Sequence, residues 1–306
     1  GPVAAVPACE NSERRRQGGG GDLAPGRECE QLKMEIPFTK AHGARNDFIL
    51  TWADEAGGGD LSKTAAKICD RHTGVGGDGW LLVTRLDAPP EGADLGIRLF
   101  NPDGGEVEMS GNGTRCAAAF AMANGYGREE IRIRTGGGTK LLRLLERDGN
   151  RYSFEMNMGR PEVKPEERHC GLAVGEELYD CTMLWVGNPQ CAVFVENFDF
   201  DWRSVGAAIE HHPRFPKRTN VSFVRAGDGL NIEVLFWERG VGETMSSGTG
   251  STGAAVAAMM RGFVGRAVTV HTPAGPLEFR WPDEASDVVM TGPTEIVAAG
   301  RYFLQD

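Results

Sequence analysis

Two serines open glycine-rich turns that lead into helical segments of small side chains. Ser110 begins "SGNGT" before "RCAAAFAMA", and Ser247 lies in "SSGTGST" before "GAAVAAMM". The first backbone N–H groups of a helix have no partner inside the helix, so a helix N-terminus attracts anions. Two such ends facing each other could hold one carboxylate, with a serine hydroxyl on either side of the adjacent carbon. That arrangement suits removal of a proton from one face of an α-carbon and its return to the other face.

The same two serines also have a purely structural explanation. Serine is a preferred N-cap residue, because its hydroxyl oxygen accepts a hydrogen bond from a free N–H of the first helical turn. From the residues alone, the capping and the proton-transfer interpretations of Ser110 and Ser247 are equally open.

The serine segments belong to an internal repeat. Residues 100–122 align without a gap with residues 237–259, and nine of the 23 aligned positions are identical. Glycine and alanine composition explains part of this match, but Gly-Glu and Ser-Gly recur at the same spacing within the same strand–loop–helix order. A weaker similarity places Asn46 over Asn188. The sequence therefore predicts two pseudo-symmetric halves that set equivalent loops and helix N-termini across one cleft.

The elements that carry these loops are mostly strands. Short runs with alternating apolar residues recur along the chain, whereas only a few segments have helical periodicity. The predicted helices cover residues 61–72, 113–124, 202–211 and 250–262. This pattern predicts a strand-rich α+β fold with about two helices in each half.

Composition excludes several classes of protein. The chain has 306 residues, 43 glycines and a net charge of −10, and it lacks a basic patch, which argues against a nucleic-acid partner. No apolar run approaches the roughly 18 residues needed to span a membrane. The seven cysteines show no CxxC pair, and the six histidines show no metal-ligand spacing. These features predict no metal site and favour a reducing, cytoplasmic location.

Three further segments are rich in glycine. Residues 1–33 contain "GGGG" and "RRR" without periodic apolar residues, which predicts a disordered extension or added upstream sequence, with the fold beginning at Met34. "GVGGDG" and "GTGSTG" match GxGxxG, but neither has the strand–turn–helix context of a dinucleotide site. The sequence thus predicts no nicotinamide or flavin cofactor.

Six ordered segments between residues 36 and 252 resemble the diaminopimelate epimerase family. They are "FTKAHGARNDFIL", "DRHTGVGGDGWLLV", "RLFNPDGGEVEMSGNGTRC", "WVGNPQCAVFV", "RFPKRTNVSFV" and "WERGVGETMSSGTGS". The resemblance implies two similar domains, each a mixed, barrel-like sheet around a central helix. We expect these halves at residues 34–157 and 158–295, with a last strand over 296–306 returning to the first half.

The resemblance also implies an activity. Members of the family interconvert L,L- and meso-diaminopimelate for lysine and peptidoglycan synthesis, without pyridoxal phosphate, metal or other cofactor. The expected partner is therefore a small-molecule amino acid that lies between the halves. Whether the chain forms a homodimer is left open.

Motif by motif, the resemblance assigns site residues. The catalytic positions are Ser110 and Ser247. Backbone amides around four residues of the glycine-rich turns are expected to hold the reacting carboxylate: Gly111, Asn112, Gly248 and Thr249. The distal amino-acid end is expected to contact Asn46, Asn101, Asn188, Asn220, Glu238 and Arg239. Arg239 suits this role because its planar guanidinium can bind a carboxylate through two hydrogen bonds.

Three positions depart from the family pattern. The family has cysteines where this chain has Ser110 and Ser247, and a histidine that assists the first cysteine where this chain has Gln190. A serine hydroxyl is a much poorer base than a thiol and needs an adjacent base or a strong local field. Glu106 and Glu243, at equivalent positions of the repeat, are the nearest sequence candidates for that base.

Three explanations of these departures stay open at this point. The serine pair can act as acid and base. The serines can mark a changed reaction on a related amino acid, such as a lyase or another isomerase. The protein can also bind an amino acid without turning it over.

Overall fold

The computed structural model describes residues 34–86, 92–126 and 128–304. The predicted extension over residues 1–33 lies outside the described residues. The helices are α1 (Leu61–Cys69), α2 (Gly111–Ala123), α3 (Trp202–Glu210) and α4 (Gly248–Met260), and short 3-10 turns lie at Ala53–Glu55 and Pro165–Glu167.

Strands make up most of the remaining chain. They are β1 (Met34–Gly43), β2 (Asn46–Trp52), β3 (Gly79–Arg85), β4 (Leu95–Phe100), β5 (Glu106–Val107), β6 (Glu130–Thr135), β7 (Gly138–Asp148), β8 (Arg151–Gly159), β9 (Cys170–Val174), β10 (Glu177–Trp185), β11 (Pro189–Phe194), β12 (Asn220–Ala226), β13 (Asn231–Glu238), β14 (Gly242–Thr244), β15 (Ala267–Thr272), β16 (Gly275–Arg280) and β17 (Val288–Leu304).

The strands of the first half close into a ring. β1 pairs with β2, β2 runs parallel to β3, and the pairing continues through β4, β6 and β7 to β8. β17 then joins β8 to β1, so that Ile36 lies opposite Tyr302. The result is a mixed barrel of eight strands with β5 as a short addition beside β4.

The second half repeats this order with its own strands. β10 pairs with β11, β11 runs parallel to β12, and the ladder continues through β13, β15 and β16 to β17. A single bridge between Glu162, just beyond β8, and Trp185 of β10 completes the circuit. β8 and β17 therefore belong to both barrels, and β14 occupies the place that β5 has in the first half.

One helix fills each barrel. α2 is buried from Gly111 to Met122, and in α4 the five residues Ala254–Ala258 are fully buried. A helix without a polar face must be enclosed, and alanine and glycine side chains let the surrounding strands approach it closely. Both helices belong to one continuous apolar core, which explains why each half has a small-residue helix immediately after its glycine-rich turn.

The other two helices cover the outside of the barrels. α1 packs on a separate cluster with Ile36, Ile49 and Trp80, and α3 packs on a third cluster with Val193 and Phe223. Each connects two parallel neighbouring strands, β2 to β3 and β11 to β12, as a parallel crossover requires. The predicted fold class, an α+β fold of two pseudo-symmetric barrel-like halves around central helices, is confirmed.

The predicted starts of the two central helices were wrong by two residues. They were placed at residues 113 and 250, but α2 begins at Gly111 and α4 at Gly248. Ser110 and Ser247 cap the helices, so each glycine-rich turn is itself the first helical turn. The prediction placed these turns outside the helices because glycine has a low intrinsic helix propensity.

The proposed domain limits at residues 34–157, 158–295 and 296–306 stay predictions, and residues 305–306 lie outside the described part of the chain. Among the described residues, no helix has the length and apolar character needed to cross a membrane.

Candidate active site

The N-termini of α2 and α4 meet between the two halves. A Cβ atom built on Gly248 would lie 3.4 Å from the Cα of Gly111, and one built on Gly111 would lie 3.6 Å from the Cα of Gly248. The unpaired N–H groups of both first turns, and the positive ends of both helix dipoles, therefore lie together. This is the arrangement that the sequence predicted for binding a carboxylate.

Both serines cap these helices, and the cap itself favours proton transfer. The Oγ atoms of Ser110 and Ser247 each accept a hydrogen bond of 3.1 Å, from the backbone N–H of Gly113 and Gly250 respectively. A hydrogen bond donated to the oxygen stabilises a negative charge there, as does the positive end of the helix dipole. The capping and proton-transfer interpretations are thus compatible, because the cap uses only an oxygen lone pair and leaves the hydroxyl proton free.

Glu238 is the partner of Ser247. It ends β13, and the tight turn into β14 brings the chain back so that the Ser247 hydroxyl donates to Glu238 Oε2 at 3.1 Å. Thr244 donates to the other carboxylate oxygen at 2.6 Å. Burial raises the pKa of Glu238, and the two hydroxyl hydrogen bonds only partly oppose it. A carboxylate with a raised pKa beside a serine is a suitable general base.

Ser110 has no such partner among the residues that the structure describes. The position where the family has its assisting histidine holds Gln190, which is 2% exposed and donates from Nε2 to Asn188 Oδ1 at 2.6 Å. A neutral amide cannot accept a proton at ordinary pH. The two serines therefore have different environments, one beside a carboxylate and one with only its cap.

The two glutamates suggested by the repeat lie elsewhere. Glu106 forms a two-bond ion pair with Arg98, and Glu243 forms one with Arg203. All four side chains are about half exposed, so these glutamates are surface groups. The sequence suggested them because they repeat, but they lie in the short strands β5 and β14, and their side chains pair with arginines.

Two asparagines from the strand ends reach the second residue of the central helices. Asn112 Nδ2 donates to Asn46 Oδ1 at 3.2 Å, and Asn188 Nδ2 donates to Thr249 Oγ1 at 3.3 Å. Asn112 is almost fully buried and also lies 3.4 Å from Ser246 Oγ, so it spans the junction of the two halves. Four predicted site residues are therefore brought together in equivalent pairs.

Asp78 of the "GVGGDG" segment, which the sequence excluded as a dinucleotide site, positions Asn46. Asp78 accepts a hydrogen bond from Asn46 Nδ2 at 2.8 Å, and Arg71 pairs with both Asp78 and Asp47. Burial opposes ionisation of Asp47, but hydrogen bonds from Arg71 and Lys40 outweigh it and hold the pKa of Asp47 at about 2. These charged side chains hold the side-chain amide of Asn46, which contacts Asn112 of α2.

Asn220 and Arg239 lie at the other end of the site. The buried Asn220 donates to the carbonyl of Pro189 at 3.1 Å, and its Oδ1 accepts from the backbone N–H of Arg239 at 3.0 Å. The exposed guanidinium of Arg239 contacts only the carbonyl of Lys217, at 3.4 Å, and forms no ion pair among the described residues. It is thus available to a substrate carboxylate. Asn101 directly follows β4, with its side chain unpaired in the described part of the chain.

Sequence reasoning missed Glu210, which holds the Glu238–Arg239 segment. Glu210 lies at the end of α3, is 3% exposed, and accepts from Trp237 Nε1 and from the backbone N–H of Gly240, both at 2.9 Å. Burial opposes its ionisation, but these two hydrogen bonds, together with the neighbouring His211 and Arg218, outweigh it and lower the pKa of Glu210. Glu210 thus binds the residue before Glu238 and the residue after Arg239. A single sequence contains no pattern that predicts such a buried carboxylate.

Comparison with known proteins identifies the family. The family model described as diaminopimelate epimerase matches residues 38–164 and 182–297. A diaminopimelate epimerase of Pelotomaculum thermopropionicum is 41% identical over 279 residues, which cover 87% of this chain and 98% of the relative. The chain belongs to the diaminopimelate epimerase family.

Two further relatives in the family agree over nearly their whole length. The diaminopimelate epimerase of Halothermothrix orenii is 36% identical over 289 residues, or 89% of this chain and all of the relative. That of Moorella thermoacetica is 39% identical over 278 residues, or 87% of this chain and 98% of the relative. The resemblance drawn from six sequence segments is therefore confirmed.

Solved structures outside this family share the fold. A hydroxyproline epimerase of Agrobacterium vitis has a TM-score of 0.67 at 14% identity, over 90% of this chain and 94% of that protein. A methylitaconate-delta-isomerase has a TM-score of 0.65 at 14% identity, over 88% and 96%. At this identity the likeness shows the architecture alone.

Replacing Arg239 by alanine is expected to weaken diaminopimelate binding at least about tenfold, since truncating one partner of a hydrogen-bonded charge pair commonly costs about 2–5 kcal/mol. Isothermal titration calorimetry measures the change. Arg225→Ala is the matched control, because Arg225 is also an exposed arginine in the second half but is paired with Glu233 on β13. Equal affinity of the Arg239 and Arg225 variants would remove Arg239 from the binding site.

Proposed function

We propose that the chain is a cofactor-independent epimerase that interconverts L,L- and meso-diaminopimelate. The observation that carries the proposal is the Ser247–Glu238 hydrogen bond at the meeting point of two helix N-termini, in a chain of the diaminopimelate epimerase family. Together these groups supply a place for a carboxylate and a base beside the carbon next to it.

In this proposal the helix N-termini hold the reacting carboxylate. Free amides of the first turns of α2 and α4 donate to it, and they stabilise the second negative charge that develops as the α-proton leaves. Fixed amides and dipoles need no reorganisation during the reaction. This stabilisation takes the place that a cofactor has in other epimerases, and neither pyridoxal phosphate nor a metal enters the proposed reaction.

The proton moves through the two serines. The Ser247 oxygen takes the α-proton from one face while its own proton passes to Glu238, so the carboxylate becomes a carboxylic acid. The Ser110 hydroxyl then donates its proton to the opposite face of the carbanion. The resulting alkoxide, stabilised by the Gly113 amide and the helix dipole, regains a proton from water, and Glu238 releases one.

The other site residues hold the rest of the substrate. Arg239 binds the distal carboxylate, and the amides of Asn46, Asn188 and Asn220 orient the chain between the two ends. The proposed role of Glu238 is that of a base, whereas the family resemblance assigned Glu238 to the distal amino-acid end of the substrate; that second role stays a prediction. We place the reaction in lysine and peptidoglycan biosynthesis in the cytoplasm, as the family resemblance implies.

Incubation with L,L-diaminopimelate in D2O, followed by NMR, tests the proposal. We expect the meso isomer to appear with deuterium at the inverted α-carbon. Because Ser247, unlike Ser110, has a carboxylate partner among the described residues, one epimer is expected to exchange its α-proton faster than it is converted. A mixture that contains neither deuterium nor meso isomer would contradict the proposed turnover.

A second candidate function is amino-acid binding without turnover. No base lies beside Ser110 in the described part of the chain, and this favours the second function, since a hydroxyl without a partner is a poor proton acceptor. Calorimetry on the same sample separates the two: binding of diaminopimelate without exchange or epimerisation establishes the second function. Deuterated product that is not a diaminopimelate isomer would instead establish a changed reaction.

A further inference from the structure

Arg115 is a fully buried arginine in the first turns of α2. Its Nη2 donates to Asn112 Oδ1 at 2.6 Å, and its Nη1 lies 3.4 Å from the carbonyl of Gly111. Its Nε has no hydrogen-bond partner, and no carboxylate forms an ion pair with it in the part of the chain that the structure describes. An unpaired buried charge is costly, so its place beside the site calls for an explanation.

Two glycines make room for the guanidinium. A Cβ atom on Gly292, in the strand shared by both barrels, would lie 3.0 Å from Arg115 Cζ, and one on Gly43 would lie 3.1 Å from Nη2. Contacts this short would force the guanidinium or the strand to move. The space between β1 and β17 is therefore shaped to accept Arg115.

The two halves differ in charge at the repeat position that Arg115 occupies. In the repeat, Arg115 corresponds to Thr252 of α4, whose hydroxyl donates to the carbonyl of Gly248 at 2.7 Å. Burial lowers the pKa of Arg115 to about 10, so the group still carries its charge at neutral pH. The first half thus adds a full charge to its helix N-terminus where the second half has a neutral hydroxyl.

We infer that Arg115 is a positioning residue that makes the junction of the two helices electropositive and fixes Asn112 within it. The inference rests on the proposed function. A substrate carboxylate gains a second negative charge when its α-proton leaves, and a nearby charge in a water-poor interior interacts more strongly with the doubly charged state. Arg115 therefore stabilises the carbanion more than the bound substrate, and it does so without touching either.

Variants of Arg115 test this role. Arg115→Met removes the charge at similar length, and we expect the α-proton exchange rate in D2O to fall at least about tenfold, with a smaller loss of diaminopimelate affinity. Arg115→Lys keeps the charge and is expected to recover most of the rate. Arg261→Met is the matched control, because Arg261 is largely buried at the opposite end of α4 and is paired with Asp180.

The outcomes are separable. If Arg115→Met does not fold, Arg115→Gln is the second neutral variant, and it must be slower than Arg115→Lys. Equal losses of rate and affinity, or a rate equal to that of the Arg261 variant, would overturn the inference while leaving the proposed function intact. If the wild-type protein neither binds nor exchanges diaminopimelate, the proposed function fails, and the inference fails with it.

Discussion

Replacing either Ser110 or Ser247 by alanine is expected to lower the rate of epimerisation by about 10²–10⁴-fold in both directions, the range associated with a positioned acid or base. Every turnover needs one group on each face of the α-carbon, so neither serine can compensate for the other. The single variants should still differ. The Ser110 variant retains the Ser247–Glu238 pair and should exchange the α-proton of one epimer, whereas the Ser247 variant should lose most exchange.

Glycine variants at the same positions separate chemistry from capping. Alanine at an N-cap costs about 0.5–2 kcal/mol of stability, whereas glycine costs only a few tenths. Ser110→Gly and Ser247→Gly should therefore remain as inactive as the alanine variants while melting close to wild type. Recovery of epimerisation in a glycine variant would show that the hydroxyl is only a cap.

A further pair of substitutions introduces thiols at the two serine positions. Ser110→Cys together with Ser247→Cys is expected to raise the rate of an active protein, because a thiolate is accessible near neutral pH and an alkoxide is not. Adding Gln190→His supplies the partner that residue 110 lacks and is expected to raise it further. If the double variant gains nothing, proton transfer runs through other groups.

Glu238→Gln is expected to lower the rate about 10²–10⁴-fold without lowering stability. The activity is lost because an amide cannot take the proton of Ser247. Burial raises the pKa of Glu238 above its ordinary value, so the folded protein favours the protonated form of this side chain over the carboxylate. The stability from this group is fully present below the unfolded pKa and is lost as pH rises through the folded pKa. The glutamine variant should therefore melt at the same or a higher temperature at pH 7.

The same raised pKa sets the acidic limit of activity. Only the carboxylate accepts a proton, so the wild-type rate should fall on acidification at a pH above 4.5. Glu243→Gln, at an exposed glutamate five residues further along the chain, is the matched control and should retain the wild-type profile. An unchanged rate in Glu238→Gln, or a melting temperature several degrees lower, would show that Glu238 is a structural residue.

Much of the architecture followed from local sequence patterns. The repeat placed two small-residue helices after equivalent turns, and α2 and α4 have the same length and the same serine caps. What local patterns could not supply was the closure of the barrels. The pairing of Ile36 with Tyr302 joins residues 266 positions apart, and no short-range signal marks such a partner.

Sequence motifs indicated which side chains would lie near the two helix N-termini, but they did not indicate the buried charged side chains there. Asn46 and Asn188 were found through the repeat, whereas Arg115 and Glu210 were missed because arginine and glutamate are usually exposed. The symmetry of the repeat suggested Glu243 as the partner of Ser247, but Glu243 pairs with Arg203. The turn between β13 and β14 instead brings Ser247 beside Glu238. The equivalent position in the first half is Asn101, which is not acidic.

The two strands that belong to both barrels also constrain how the chain folds. The first barrel cannot close until β17 has been synthesised, because its seam joins β1 to that strand. During translation the first half must therefore keep an open edge at β1 while nearly the whole remaining chain emerges. Pairings of such long sequence separation form slowly, and an unpaired edge invites aggregation. We accordingly expect the two halves to fold in one late, shared step instead of one after the other.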